Sequence, residues 1–358
     1  MKRLLILLVL LVFGFVFVGC SGEQAAPSPQ ATPPATETPA TEEPAEESLV
    51  LNIYTSRHYD VDFELIEVFT AQTGITVNMI QGNGHEILER ALRERGNPQA
   101  DLFINVGAIT MYTALEEGLL EPLNASFPSE LVRDGLYGDY WTALATRARV
   151  IVYDKQSDDY ISISRYSDLA GEQFANGILV RSSTNLYNVA LVAALLQVEG
   201  EEEATLFAQG MADNLARTPQ GNDRDQMRAI VAGEGRWGIT NNYYLQMLLM
   251  GSDQTDVMVG ERMAFMFPDE VFEDISWAGI LNGAPNRENA LLFIEFLLQA
   301  EQQQVLMELN GEAPANRHVE IIAALAPQYA FTPMPVNFET LGRYTTRASI
   351  LMDLVGWE

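Results

Sequence analysis

Leu49-Val50-Leu51-Asn52-Ile53-Tyr54 opens the stretch that decides the fold. Its apolar, β-branched character reads as a strand. Phe63, Ile66 and Phe69, with Leu65 nearby, recur at the helical period, and Gly74 is the stop signal. Ile75-Thr76-Val77-Asn78-Met79-Ile80 alternates as a second strand. Ile87 to Arg95 is helical again and ends at Gly96-Asn97-Pro98, before the strand Asp101-Leu102-Phe103-Ile104-Asn105-Val106. A β-α-β-α-β rhythm predicts a mainly parallel sheet covered by helices. A second unit begins near Arg147, with strands at Val150–Tyr153, Gly177–Val180 and Trp237–Thr240. Ser182-Ser183-Thr184 are the expected caps of a helix running to about Val198. Tyr243 to Met250 is a further helix, and Pro285-Asn286-Arg287-Glu288 opens a long one reaching Asn310-Gly311. The expected fold class is α/β, a two-lobed clam-shell with a ligand cleft between lobes. The expected lobes are 49–145 with about 262–310, and 146–261 with about 311–358.

The N-terminus carries a separate signal. Lys2-Arg3 precedes an apolar run from Leu4 to Val18, too short to span a bilayer comfortably. Phe17-Val18-Gly19-Cys20 then resembles a bacterial lipoprotein cut site, with Phe17 where leucine is usual. Residues 1–19 are therefore expected to be a signal peptide, with lipid on Cys20. Cys20 is the single cysteine, which excludes an intramolecular disulfide and leaves no thiol for zinc or iron–sulfur sites. Residues 20–48 are rich in Ala, Pro, Thr and Glu and cannot bury enough apolar surface to fold. Extended at about 3.1 Å per residue, this tether reaches on the order of 80 Å. The predicted location is extracytoplasmic, anchored to the membrane by lipid.

Forty-nine acidic residues against 21 basic ones give a formal net charge of −28, which offers nucleic acid no phosphate-binding footprint. Enzyme motifs are also missing. There is no Gly-x-Ser-x-Gly elbow and no phosphate-binding Gly-Lys-Ser/Thr loop. His85-Glu86 begins a zinc-protease motif, but Glu89 stands where its second histidine belongs. No catalytic residues are assigned, and a non-enzymatic role is expected.

Three strand-to-helix junctions carry the candidate site: His58 and Tyr59, Tyr187, and the pair Tyr243-Tyr244. Open α/β sheets bind ligands outside the carboxyl ends of their strands, so three distant segments can share one cleft. Taken singly, the residues read more plainly. A loop histidine is usually a surface or capping group. Tyr59 and Tyr187 suit a packed core equally well. Adjacent tyrosines at a helix start should point apart, one into the core and one outward. Jointly, phenolate oxygens and an imidazole suit a hard, highly charged cation.

Beyond these groups, the chain shares Thr55-Ser56-Arg57-His58-Tyr59, Arg147-Ala148-Arg149-Val150 and Arg181-Ser182-Ser183-Thr184-Asn185-Leu186-Tyr187-Asn188 with one family. Arg217-Thr218-Pro219-Gln220-Gly221-Asn222-Asp223, Asn242-Tyr243-Tyr244 and Ala284-Pro285-Asn286-Arg287-Glu288-Asn289-Ala290 extend the match over most of residues 50 to 310. It resembles the ferric-iron-binding proteins of ABC importers, in particular the tyrosine-rich type of cyanobacteria. The resemblance implies a periplasmic-binding-protein fold and Fe(III) held by His58, Tyr59, Tyr187, Tyr243 and Tyr244. It places Arg57 and Arg147 near the metal, as phenolate partners or as the seat of an anion such as carbonate, with a surface salt bridge as the bland alternative. Some relatives use a carboxylate after the third strand; here Asn105-Val106-Gly107-Ala108 supplies none. Implied partners are a permease, its ATPase subunit, the membrane, and ferric iron or a small ferric chelate; a monomer is expected. The rival readings are a solute-binding protein of the same shape for thiamine, a polyamine or a small anion, and an iron-sensing surface receptor.

Overall fold

A computed structural model describes residues 49–357. The signal peptide, Cys20 and the tether lie outside the described residues. The first half of the chain builds strands β1 (Val50–Thr55), β2 (Thr76–Gln81), β3 (Leu102–Val106), β4 (Leu120–Glu121) and β5 (Thr142–Asp154). Helices α1 (Asp60–Thr73), α2 (Gly84–Arg93), α3 (Ala108–Glu116) and α4 (Phe127–Leu131) alternate with them. The chain continues through β6 (Ile178–Leu179), α5 (Leu186–Val198), α6 (Glu201–Asp213), α7 (Asp223–Val231), β7 (Trp237–Asn241), α8 (Tyr244–Met250) and α9 (Gln254–Arg262). Then follow β8 (Met263–Met266), β9 (Glu270–Val271), β10 (Glu273–Leu281), α10 (Arg287–Leu298) and α11 (Ala300–Asn310). Among the described residues, no helix is long and apolar enough to cross a membrane.

The main sheet runs in the order β2-β1-β3-β10-β5-β7-β6. β1 pairs in parallel with β2 and β3, and β6 pairs in parallel with β7. These are the pairs that βαβ crossovers require. Between them lie antiparallel strands. Residues Thr142 to Ala148 of β5 pair with β10, and Arg149 to Asp154 pair with β7 and β8. A single strand thus spans both halves of the sheet. It is buried along nearly all of its length, which explains its unbroken apolar and small-residue run Ala143–Val152, interrupted only by Thr146, Arg147 and Arg149.

Local chemistry accounts for most boundaries. Gly74 ends α1 at φ +75°, where its N–H bonds to Thr70 O at 2.9 Å. The α5 cap differs from expectation. Asn185, one residue past the Ser-Ser-Thr run, caps the helix by accepting from Tyr187 N–H at 3.1 Å. The long C-terminal helix is also two helices. Gln299 takes an extended conformation (ψ 150°), which ends α10 and starts α11. No proline or glycine marks that break. Gln303, one turn on, instead spends its side chain on Leu144 O and Leu297 O, both tertiary bonds.

Gly311 closes α11 in the left-handed region, at φ +78°. A Cβ there would lie 2.5 Å from the Cβ of Gln246 on α8. Gly311→Ala is expected to destabilise the protein by at least about 1–2 kcal/mol, since an L-residue pays for this backbone even before the clash. Urea denaturation reads the effect; an unchanged midpoint would show that the turn relaxes freely.

Candidate metal centre

The β1–α1 turn places Arg57, His58 and Tyr59. Tyr59 is the residue before α1, in extended conformation, and its N–H donates to Asp62 Oδ2 at 3.3 Å. Asp62 Oδ1 accepts from Arg57 Nε at 3.0 Å, which folds the arginine back beneath the Tyr59 ring, 4.9 Å from its centroid. Gln81 donates to Arg57 O, so β2 holds the same turn from the other side. His58 is exposed, with Nδ1 3.3 Å from Ser56 O. A carbonyl beside Nδ1 favours a proton there and leaves the Nε2 lone pair open toward a metal.

Across the cleft, the β7–α8 junction carries Tyr243 and Tyr244. Asn242 pins it: its Oδ1 accepts from Ala148 N–H (2.9 Å) and Tyr243 N–H (3.0 Å), while Nδ2 donates to Gln328 O. The two tyrosines do not diverge. Their rings pack with centroids 4.2 Å apart at 30°. Tyr243 is fully buried, and its hydroxyl lies 3.0 Å from that of Tyr59. The turn therefore bends both rings to one place, which a regular helix start would not do.

Tyr187 arrives in the first turn of α5. Two guanidinium groups, Arg149 and Arg181, approach its ring, at 5.8 and 5.6 Å from the centroid. Buried Asp223 binds both arginines, and Asn188 accepts from Arg149 at 2.7 Å while donating to Arg181 O and Ser182 O. This cage fixes where Tyr187 can be. The motif Arg181-Ser182-Ser183-Thr184-Asn185-Leu186-Tyr187-Asn188 thus has a structural reason at each end.

These side chains border a cleft of about 890 Å³, lined by Ser56, His58 and Tyr59 on one side and Arg181, Tyr187 and Tyr244 on the other. Burial, first, pushes the Tyr59, Tyr243 and Tyr244 phenols above their ordinary range; the Tyr187 oxygen adds to the rise in each. Arg147 and Arg57 oppose it at Tyr59. These three phenols are therefore protonated at neutral pH until a cation displaces the protons. Among the described residues, no group of three or more His, Cys, Asp or Glu is arranged to hold a metal. Phenols are the most numerous metal-donor side chains lining this cleft, beside His58, His85 and Asp274.

Arg57 and Arg147 are not surface salt bridges. They are 4% and 1% exposed, and both meet the buried carboxylate of Glu312. Neither donates to a phenol; Arg57 is committed to Asp62, Ser276 and Glu312. Three residues have roles that the sequence does not disclose, although Asp223 ends one of the shared motifs. Glu312 follows a helix and belongs to no motif. Asp223 sits at a helix start, where an acid reads as ordinary dipole chemistry. Asp274 is the third: β3 ends without an acid, but antiparallel β10 brings this carboxylate to the same place in the cleft wall. Its Oδ1 accepts from Ala108 N–H at 3.0 Å and Ile275 N–H at 2.8 Å, and burial raises its pKa against the pull of Arg147. Only the strand pairing, not spacing, could have found it.

A sheet traversed by one long strand, with polar side chains converging from separate junctions into a cleft, defines a solute-binding protein. The chain belongs to the bacterial extracellular solute-binding protein family, whose model matches residues 97–333. It is 35% identical to iron uptake protein A1 of Synechocystis, over 87% of this chain and 88% of that protein. It is 26% identical to the major ferric iron-binding protein of Neisseria meningitidis, over 79% and 88% of the two chains. Among solved structures it resembles the Trichodesmium protein IdiA/FutA in complex with iron and citrate ligands. That match has a TM-score of 0.80 and 36% identity, and covers 86% of this chain and all (100%) of that one. The Campylobacter jejuni ferric binding protein matches with a TM-score of 0.80 and 33% identity, over 86% and 100%.

Proposed function

We propose that this chain is an extracytoplasmic Fe(III)-binding protein that delivers its cargo to an ABC permease and its ATPase subunit. One observation carries the proposal: three phenols and an imidazole, from both halves of the sheet, line one cleft, and a fourth phenol, on buried Tyr243, brings its oxygen within 3.0 Å of that of Tyr59. The proposed ligands are His58 through Nε2 and the phenolates of Tyr59, Tyr187, Tyr243 and Tyr244. His58 and Tyr59 come from the β1 half, and the other three from the β7 half. Closure of the two halves would complete the shell and form the surface a permease meets. The iron names carried by the Synechocystis, Neisseria and Campylobacter relatives support this cargo. The cleft exceeds the volume of a bare ion, so a small ferric chelate also fits; the iron and citrate of the Trichodesmium complex support that form. Arg147 is the group suited to a small anion such as carbonate, because its buried Nη1 has no hydrogen-bond partner. Lipid on Cys20 and the 20–48 tether would hold the protein, as a monomer, at the outer face of the membrane.

The chemistry selects the ferric state. Four phenolates around Fe(III) leave one formal negative charge, and reduction makes it two inside a dry site. Fe(III) is expected to bind at least about 100-fold more tightly than Fe(II) in anaerobic equilibrium titrations at one neutral pH, a difference of more than about 2.7 kcal/mol. Equal affinities would remove the phenolate account and favour an organic solute.

A further inference from the structure

Glu312 follows Gly311 at the end of α11 and is completely buried. Three other segments converge on it, joined by Asn310 from its own helix end. Arg57, from the β1–α1 turn, donates Nη1 to Oε2 at 2.8 Å. Arg147, from β5, lies with Nε 3.4 Å from Oε1. Ser276, from β10, donates to Oε1 at 3.2 Å, and Asn310 donates to Oε2 at 2.6 Å. Ser276 Oγ in turn accepts from Arg57 Nη1 (2.8 Å) and Arg147 Nη2 (2.6 Å). The strand that spans both halves of the sheet, β5, and its neighbour β10 thus meet at this carboxylate, which also holds the arginine packed on the Tyr59 ring.

We propose that Glu312 is a positioning residue for the metal site, fixing Arg57 and Arg147 under Tyr59 while restraining the grip on ferric cargo. This rests on the ferric reading above. The two roles have opposite signs. For the fold, Glu312 is a counter-charge to two buried guanidinium groups, and losing it removes the ion pair of Arg147 and leaves Arg57 with Asp62 alone. For the cargo, replacing phenol protons with Fe(III) changes the formal charge of the site by one negative unit. Arg57 and Arg147 favour that change, and Glu312 opposes it. A protein that must hand over its ion has a use for such a counterweight.

Glu312→Gln keeps the shape and the capacity to accept from Ser276 and removes the charge. Its metal-free melting temperature is expected to fall, while Fe(III) affinity, read by citrate competition through the visible absorbance of the complex, rises about tenfold. Arg147→Gln is expected to move affinity the other way, about tenfold weaker. A purely structural role weakens or spares binding in both variants, and that result overturns the proposal. Should Glu312→Gln not fold, the double variant Glu312→Gln/Arg147→Gln, which loses one buried charge of each sign, takes its place: Fe(III) binding tighter than in Arg147→Gln is expected, and equal or weaker binding overturns the proposal. If the unmodified protein gives no iron absorbance at all, the ferric reading fails first and the two failures are distinguishable.

Discussion

Tyr243→Phe/Tyr244→Phe is expected to keep its fold and lose ferric binding by more than about 100-fold, the upper range for disturbing even a group behind a ligand. The change removes two hydroxyls and nothing else. Tyr243 has its hydroxyl 3.0 Å from Tyr59, so phenylalanine there costs one buried hydrogen bond, about 1 kcal/mol. The stacked pair, at 4.2 Å, keeps its aromatic contact. Binding loses far more, because two of the proposed negative donors disappear and His58, Tyr59 and Tyr187 alone cannot neutralise Fe(III). Single variants should separate the two positions, since fully buried Tyr243 touches Tyr59 while Tyr244 lines the open cleft. Citrate competition measures the affinity, and the melting temperature checks the fold. A double variant binding iron like the parent would make these tyrosines packing residues.

Asp223→Ala carries the largest expected cost to stability, about 3–5 kcal/mol in chemical denaturation, the usual penalty for leaving a buried charge unpaired. The carboxylate is fully buried and joins Arg149 to Arg181. Arg149 keeps only Asn188 and a 3.5 Å approach to Asn241 Oδ1. The same change loosens the cage around Tyr187, so iron affinity should fall as well. Asp223→Asn, which keeps the shape and one acceptor oxygen, should cost less on both counts. If Asp223→Ala unfolds at the parent's denaturant midpoint, the arginine pair finds water or another acceptor, and the cage is not what places Tyr187.

The sequence locates the strand-to-helix junctions better than the frame behind them. His58, Tyr59, Tyr187, Tyr243 and Tyr244 sit at strand-to-helix junctions, and the topology of such sheets brings junctions together. That inference needs only local patterns and one general rule. The stop at Gly74 and the strands near Leu51, Val77 and Ile104 are legible for the same reason, since periodicity and a left-handed cap are local. What was misjudged is set by tertiary partners. Asn185 displaces Ser182–Thr184 as the cap because Asn188 ties that loop to Arg181 O and Ser182 O. The break at Gln299 answers to packing, with neither proline nor glycine to announce it. The divergence expected of Tyr243 and Tyr244 fails because Asn242 bends the turn before the helix settles. Glu312, Asp223 and Asp274 are carboxylates whose meaning lies in arginines or amide groups distant in the chain, a relation no spacing reveals.

The most direct test adds ferric citrate to the metal-free protein while the visible spectrum is recorded. A phenolate-to-iron charge-transfer band that saturates near one iron per chain and vanishes in Tyr243→Phe/Tyr244→Phe is the predicted result. A folded protein that takes up no iron, or binds it without such a band, would contradict the phenolate site and return the cleft to an organic solute.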